Sequence, residues 1–191
     1  MTSRVGRTGY RDPNARRGRH TWRPTQSQLD LLEPHRFEGE AFQPFINRLL
    51  RRLAKAIETG TAPVAKFESD DMKEKPRSFR ADPTVEQLMQ SHKQGNNQAT
   101  IDYLLGWAIS LPRASELQSA DEVMGLLRSL NGDRHLTTEV MRMLCDHTTE
   151  ARAKEWLWEL FERGKIRLVR SGFGVRLGAK NYSYEYLSIE P

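Results

Sequence analysis

The chain has 191 residues, of which 37% are hydrophobic and 29% charged, with a net charge of +5; this length suits one domain, or one domain with a smaller helical companion. Mean hydropathy is −0.71, no window nears the roughly 18 apolar residues of a membrane helix, and the first residues lack a signal-like apolar run. A membrane span and a secretory signal are therefore not expected, and a cytoplasmic, bacterial or phage-like setting is. The single cysteine, Cys145, forms no internal disulfide and reads as core packing in a reducing compartment.

The charge is unevenly placed. Residues 1–24, "MTSRVGRTGYRDPNARRGRHTWRP", hold seven arginines against the one acid Asp12, a local +6 that leaves about −1 for the rest. Without any hydrophobic period, this segment is expected to be disordered until an anionic partner orders it. Arg16, Arg17 and Arg19 are candidate phosphate-contacting residues within it. A solubilising tail is the plain alternative; an organelle transit peptide is the other, weakened by the missing Leu or Phe stripe.

Residues 25–60 read as a helical segment. A short helix is bracketed by Pro24 and Pro34, and a longer one over 38–58 places Phe42, Phe45, Ile46, Leu49, Leu50, Leu53 and Ile57 at spacings of three and four. Arg48, Arg51, Arg52 and Lys55 fall on the other side, as a solvated basic face. Residues 61–83 mix prolines with both charge signs and predict a long loop or linker. The acids of "SDD" at 69–71 lack further ligand spacing and read as solvated. Residues 84–118 predict helices at 84–92 and 98–110, the second with a buried stripe of Ile101, Leu104, Leu105, Ala108 and Ile109.

From residue 119 to 191 the order is more specific. Ser119 caps a helix with Asp121 and Glu122 in its first turn, "NGD" turns the chain, and "RHL" is short and extended. Thr137 caps a second helix, "TEVMRMLCD", and a long third helix over 149–163 is closed by Gly164. "KIRLVRSG" then alternates Ile166 and Leu168 against Arg167 and Val169, "SGFG" supplies a tight reversal, and the return strand carries Tyr182, Tyr184 and Tyr186 on one face. Helix, strand, helix, helix, strand, wing, strand resembles the winged helix-turn-helix superfamily over 119–189, in pattern and not by a diagnostic motif. The resemblance implies a mainly α fold with a C-terminal β-hairpin: a helical N-terminal part followed by a winged-helix domain. Such domains place the third helix in the DNA major groove with the wing beside it, or only hold subunits together.

On the third helix, 100° steps gather Ala153, Trp156, Leu157, Leu160 and Phe161 as a core face and leave Arg152, Glu155, Trp158, Glu159 and Glu162 opposite. Three carboxylates repel phosphates, so Trp158, Glu155, Glu159 and Glu162 are expected to dock a protein partner, with packing of Trp158 on the N-terminal helices as the alternative. The wing reads differently. Lys165, Arg167, Arg170, Arg176 and Lys180 fall within sixteen residues, with Phe173 at the tip and no acid before Glu185. Such a ridge suits phosphate and minor-groove contacts, to which Arg152 would add; its plain alternative is a solvated edge guarded by charge.

No glycine-rich phosphate loop followed by Lys and Ser or Thr occurs, no CxxC pair exists, and His135, Cys145 and His147 fit no zinc spacing. Adjacent carboxylates such as Asp121 and Glu122 diverge and have no nucleophile beside them. The expectation is a non-enzymatic accessory protein without metal or cofactor, binding DNA, or secondarily RNA, through wing and tail while docking a protein. Its rivals are a structural winged-helix subunit of a larger protein or ribonucleoprotein complex, and a sequence-specific DNA-binding regulator.

Overall fold

The computed structural model describes residues 18–61, 73–178 and 182–190. Among these residues it is mixed α/β, with seven α-helices and two small antiparallel sheets. The chain divides into two units, one within 1–30 and 49–110, the other within 31–48 and 111–191. The segment 25–60, expected to act as one, is split between them.

The first unit is organised by a ribbon. β1 (Arg19–Trp22) pairs antiparallel with β2 (Arg77–Arg80), setting His20 opposite Phe79 and Trp22 opposite Arg77. His20, Trp22 and Phe79 are buried, whereas Arg19, Thr21 and Arg80 face solvent. Both strands correct the sequence reading: β1 lies inside the segment 1–24 expected to be structureless, and β2 inside the loop expected at 61–83. Four residues each are too few to display a period, and the partner is remote; the hydroxyls of Thr21 and Ser78, 57 positions apart, lie 3.3 Å from each other. The ribbon is secured where the buried Trp22 Nε1 donates to Asp102 Oδ1 at 2.8 Å.

Local caps start the helices of this unit. Before α1 (Gln26–Leu32), the Thr25 hydroxyl accepts from Gln28 N–H at 3.2 Å while Gln28 Oε1 accepts from Thr25 N–H at 2.9 Å, a reciprocal capping box. α3 (Pro83–Ser91) begins with proline in its first turn, and its N-cap Asp82 accepts from Val85 N–H. Asn96 caps α4 (Asn97–Ala108), whose Ile101, Leu104, Leu105 and Ala108 are buried as expected, whereas Ile109, expected in the same stripe, is its half-buried C-cap.

The amphipathic helix is α2 (Phe42–Glu58), with Phe45, Ile46, Leu49, Leu50 and Leu53 inside. Its supposed basic outer face needs correcting, because Arg48 is fully buried. Arg48 Nε donates to Glu40 Oε1 at 2.9 Å and Nη2 to Glu40 Oε2 at 2.6 Å, and Nη2 also donates to the His35 carbonyl at 2.7 Å. Its guanidinium lies 3.8 Å from the centre of the Phe37 ring. Position 48 borders the apolar stripe, and the preceding loop folds Glu40 over it, so the charge is paired rather than solvated. Arg51 likewise meets Asp82 at 2.7 Å; Lys55 is exposed.

The second unit continues with α5 (Ala120–Arg128), β3 (Arg134–Leu136), α6 (Thr137–Leu144), α7 (Glu150–Glu162), β4 (Ile166–Ser171), β5 (Val175–Arg176) and β6 (Ser183–Ile189). Its core joins Val123 and Leu127 of α5, Val140 of α6, Leu157 of α7, Leu168 of β4 and Leu187 of β6. Ser119 and Thr149 cap α5 and α7 through their hydroxyls. Gly164, at φ +67°, lets Lys165 N–H reach back to the Leu160 carbonyl at 2.9 Å and closes α7. Thr137 does not cap: its buried hydroxyl donates instead to the carbonyls of Tyr184 and Glu185, and stitches α6 to β6.

The sheet order is β3-β6-β4, with β5 on β6 as well. The chain returning directly from "SGFG" was expected to pair with β4, but it forms β5, which pairs with β6, and the partner of β4 is β6. Opposite Val169 stands Tyr186 and opposite Arg170 stands Tyr184, so Glu185 is the extra residue of a β-bulge. That single insertion breaks the expected tyrosine face. Tyr184 turns into the core beside Leu187, Tyr182 is 45% exposed, and Tyr186 packs under Arg134. Among the described residues no helix is long and apolar enough to cross a membrane.

Candidate functional site

The loop between β4 and β6 is braced rather than loose. Leu177 is completely buried in the core of the second unit. Beside it, Gly178 at φ +70° lies so close to the Trp158 ring that a Cβ there would stand 2.8 Å from it. At the tip, Gly174 at φ +100° passes against β6, where a Cβ would stand 1.9 Å from the Tyr184 carbonyl oxygen. The Ser171 hydroxyl accepts from Phe173 N–H at 3.2 Å. Phe173, held between these anchors, is 80% exposed.

Cations surround that aromatic tip. Arg170 and Arg176 are exposed, and the Arg170 guanidinium lies 3.9 Å from the centre of the Tyr182 ring. Stacking restrains the side chain yet leaves its N–H donors directed outward. Arg167 is exposed but paired with Glu190, Nε to Oε1 at 3.2 Å. Lys165 is exposed at the start of the hairpin. On the outer sheet face the Arg134 guanidinium lies 4.0 Å from the centre of the Tyr186 ring, near exposed Val169. Sequence reasoning missed Arg134 and Tyr182, since both roles depend on cross-strand neighbours. Lys180, Arg16 and Arg17 lie outside the described residues, as do the acids at 69–71; Arg19 belongs to β1 in the first unit.

The α7 face expected to meet a partner is largely committed internally. Trp158 is half-buried between Gly178 and Phe161, whose ring centre is 5.1 Å away, and its Nε1 donates to Glu162 Oε1 at 2.7 Å. It therefore packs within its own unit. Glu159 pairs with Arg163, which also reaches Asp121 at 3.1 Å. Arg152 is held by Glu116 at 3.1 Å and Glu38 at 3.5 Å, so two carboxylates already claim the charge expected to help bind phosphate. Glu155 is an exposed carboxylate at mid-helix. The signal for Trp158 was present in the glycine at 178, but only the fold brings the two together.

Chemically, the described part of the hairpin presents exposed cations and two exposed aromatic rings, Phe173 and Tyr182. Among the described residues no group of three or more His, Cys, Asp or Glu side chains is placed to hold a metal ion. Comparison with protein-family models, curated proteins and solved structures finds no match.

Proposed function

We propose that the second unit is a winged helix-turn-helix domain and that the protein is a non-enzymatic nucleic-acid-associated protein binding the phosphate backbone through its wing. The order α5-β3-α6-α7-β4-β6 and the sheet order β3-β6-β4 support the first part. One observation carries the second: exposed Arg170 and Arg176 flank a Phe173 that is 80% exposed, on a loop pinned by Leu177, Gly174 and Gly178. Leaving a phenylalanine in water forgoes about 2 kcal/mol of burial, and a braced loop that does so among arginines fits stacking on, or wedging between, bases.

Backbone charge supplies affinity here and little sequence code. The α7 surface is not a basic reading surface, because Arg152 is ion-paired and Glu155 is exposed. That speaks for weak sequence selectivity and against the regulator reading. Protein docking, if it occurs on α7, would centre on Glu155 and not on Trp158.

Anisotropy of labelled duplex DNA with the full chain, across a salt series, tests this reading. Replacing Arg167, Arg170 and Arg176 by glutamine is expected to weaken binding and flatten the salt slope; an unchanged slope in the folded variant overturns it. Removing the first 24 residues is a poor substitute, because it deletes β1 and its buried Trp22.

A further inference from the structure

The bend between α5 and β3 holds a chemically labile pair. Asn131 and Gly132 are adjacent there, and both are exposed. Gly132 sits at φ +92°, and a Cβ on it would meet nothing within 4 Å, so the space around its backbone is open. Among the described residues neither Asn131 nor Gly132 has a hydrogen-bond partner, through backbone or side chain. Asparagine in a turn or cap ordinarily bonds its short amide to nearby backbone. We propose that Asn131 is a site of spontaneous covalent modification, at which its side-chain amide is converted to a carboxylate.

The Gly132 backbone nitrogen attacks Asn131 Cγ, a succinimide ring closes through the new N–Cγ bond, and the Cγ–Nδ2 bond breaks. The proton of the Gly132 N–H leaves with Nδ2 as ammonia. Water then opens the ring at either carbonyl, so the amide is exchanged for an acid with water as the sole reactant. Opening at the side-chain carbonyl gives aspartate. Opening at the main-chain carbonyl gives isoaspartate, whose backbone runs through Cβ and Cγ and is one carbon longer.

The attacking nitrogen must be unshielded and unbonded, and the amide must be free to turn onto it. Gly132 meets the first condition, having no Cβ, and Asn131 the second. The other described asparagines do not. Asn47 is buried in α2, precedes Arg48, and its Nδ2 donates to the Gln43 carbonyl at 3.1 Å. Asn96 is held as the N-cap of α4, its Oδ1 accepting from Ala99 N–H at 2.9 Å, and Asn97 opens that helix and precedes Gln98. The new carboxylate at 131 adjoins exposed Gly132 and Asp133 and lowers the net charge of +5 by one. Just beyond it the chain is fixed, since the Asp133 carbonyl accepts from Ile189 N–H at 3.0 Å and Arg134 pairs with Ser188. The extra backbone carbon of isoaspartate is therefore taken up in the bend and leaves the register of β3 on β6 intact.

The test incubates the full chain in neutral and mildly alkaline buffer, folded and in urea, and follows each asparagine by peptide mapping with mass spectrometry. In the folded protein Asn131 is expected to convert at least about tenfold faster than Asn47, Asn96 or Asn97, a barrier lower by about 1.4 kcal/mol. The rate should rise with pH, as the attacking nitrogen loses its proton, and both aspartate and isoaspartate should form. Conversion no faster than that of Asn96 or Asn97 overturns the proposal. Comparison with urea separates the bend from the bare dipeptide: the folded rate is expected within about tenfold of the unfolded one, and a larger slowing on folding shows a shielded pair and overturns the proposal too. Asn131→Gln, at an exposed position, should keep the melting temperature and remove the mass gain from this peptide; its persistence there assigns the change to another residue and overturns the proposal.

Discussion

Arg170 rests its guanidinium 3.9 Å from the centre of the Tyr182 ring, and the two come from either side of the loop that joins β4 to β6. The stack limits the motion of a side chain that would otherwise lose much rotamer freedom on contacting phosphate. Arg170→Gln with Arg176→Gln should therefore reduce the duplex salt slope by about two, from roughly 0.9 per phosphate contact. Tyr182→Ala should keep the slope, because the charge remains, and weaken affinity a few-fold. Anisotropy titrations over a salt series read both quantities.

Phe173→Ala should behave in the opposite way. Its ring is 80% exposed, so thermal stability is expected to change little. Stacking on a base is worth about 1–3 kcal/mol, so affinity for a single strand should fall about tenfold while the salt slope stays constant. Unchanged affinity would show that the ring does not meet bases.

Gly174→Ala should distort the wing. The added carbon would stand 1.9 Å from the Tyr184 carbonyl oxygen, on backbone that is already paired into β6. At φ +100° the substitution also strains the chain, and a loss of about 2–4 kcal/mol is expected. Urea titration followed by far-ultraviolet circular dichroism measures it, and a shift below about 0.5 kcal/mol would contradict the close approach.

Trp158→Ala is expected to destabilise the second unit by about 2–3 kcal/mol, since a half-buried ring over Gly178 and Phe161 is removed. The melting temperature should drop while any DNA binding at low temperature is retained. A variant with unaltered melting would mean that the ring carries no packing role.

Glu40→Ala should be among the most damaging single changes. Arg48 is completely buried and would lose two of its hydrogen bonds, leaving a charge with the His35 carbonyl and the Phe37 and Phe45 rings in place of its carboxylate partner. Breaking such a pair costs about 3–5 kcal/mol, whereas replacing both members by apolar residues of similar volume is expected to be nearly neutral. Unfolding midpoints of Glu40→Ala and of Glu40→Leu/Arg48→Met decide this.

Helix ends were the most legible part of the fold, because caps are local. Ser119, Thr149 and Gly164 each act within four residues of their partners. The inward alternation of Ile166 and Leu168 was also plain, since a two-residue period needs only one buried side. Thr137 misled for the same reason: its position suits a cap, but its hydroxyl is taken by carbonyls nearly fifty positions away.

The sequence by itself determined where most helices lie, where Ser119 and Gly164 bound them, which helix faces are apolar, and that the region between α7 and β6 carries positive charge without acids. These depend on periodicity, capping chemistry and composition, all of which act over a few residues. Only the tertiary structure decided which charges remain available. It buried Arg48 against Glu40, engaged Arg152 with Glu116, closed Trp158 over Gly178, and left Arg170, Arg176 and Phe173 presented. It also drew Arg19 out of a supposed tail and set it opposite Arg80. The availability of a side chain depends on partners distant along the chain, and a bulge of one residue, as at Glu185, reverses which face a strand presents.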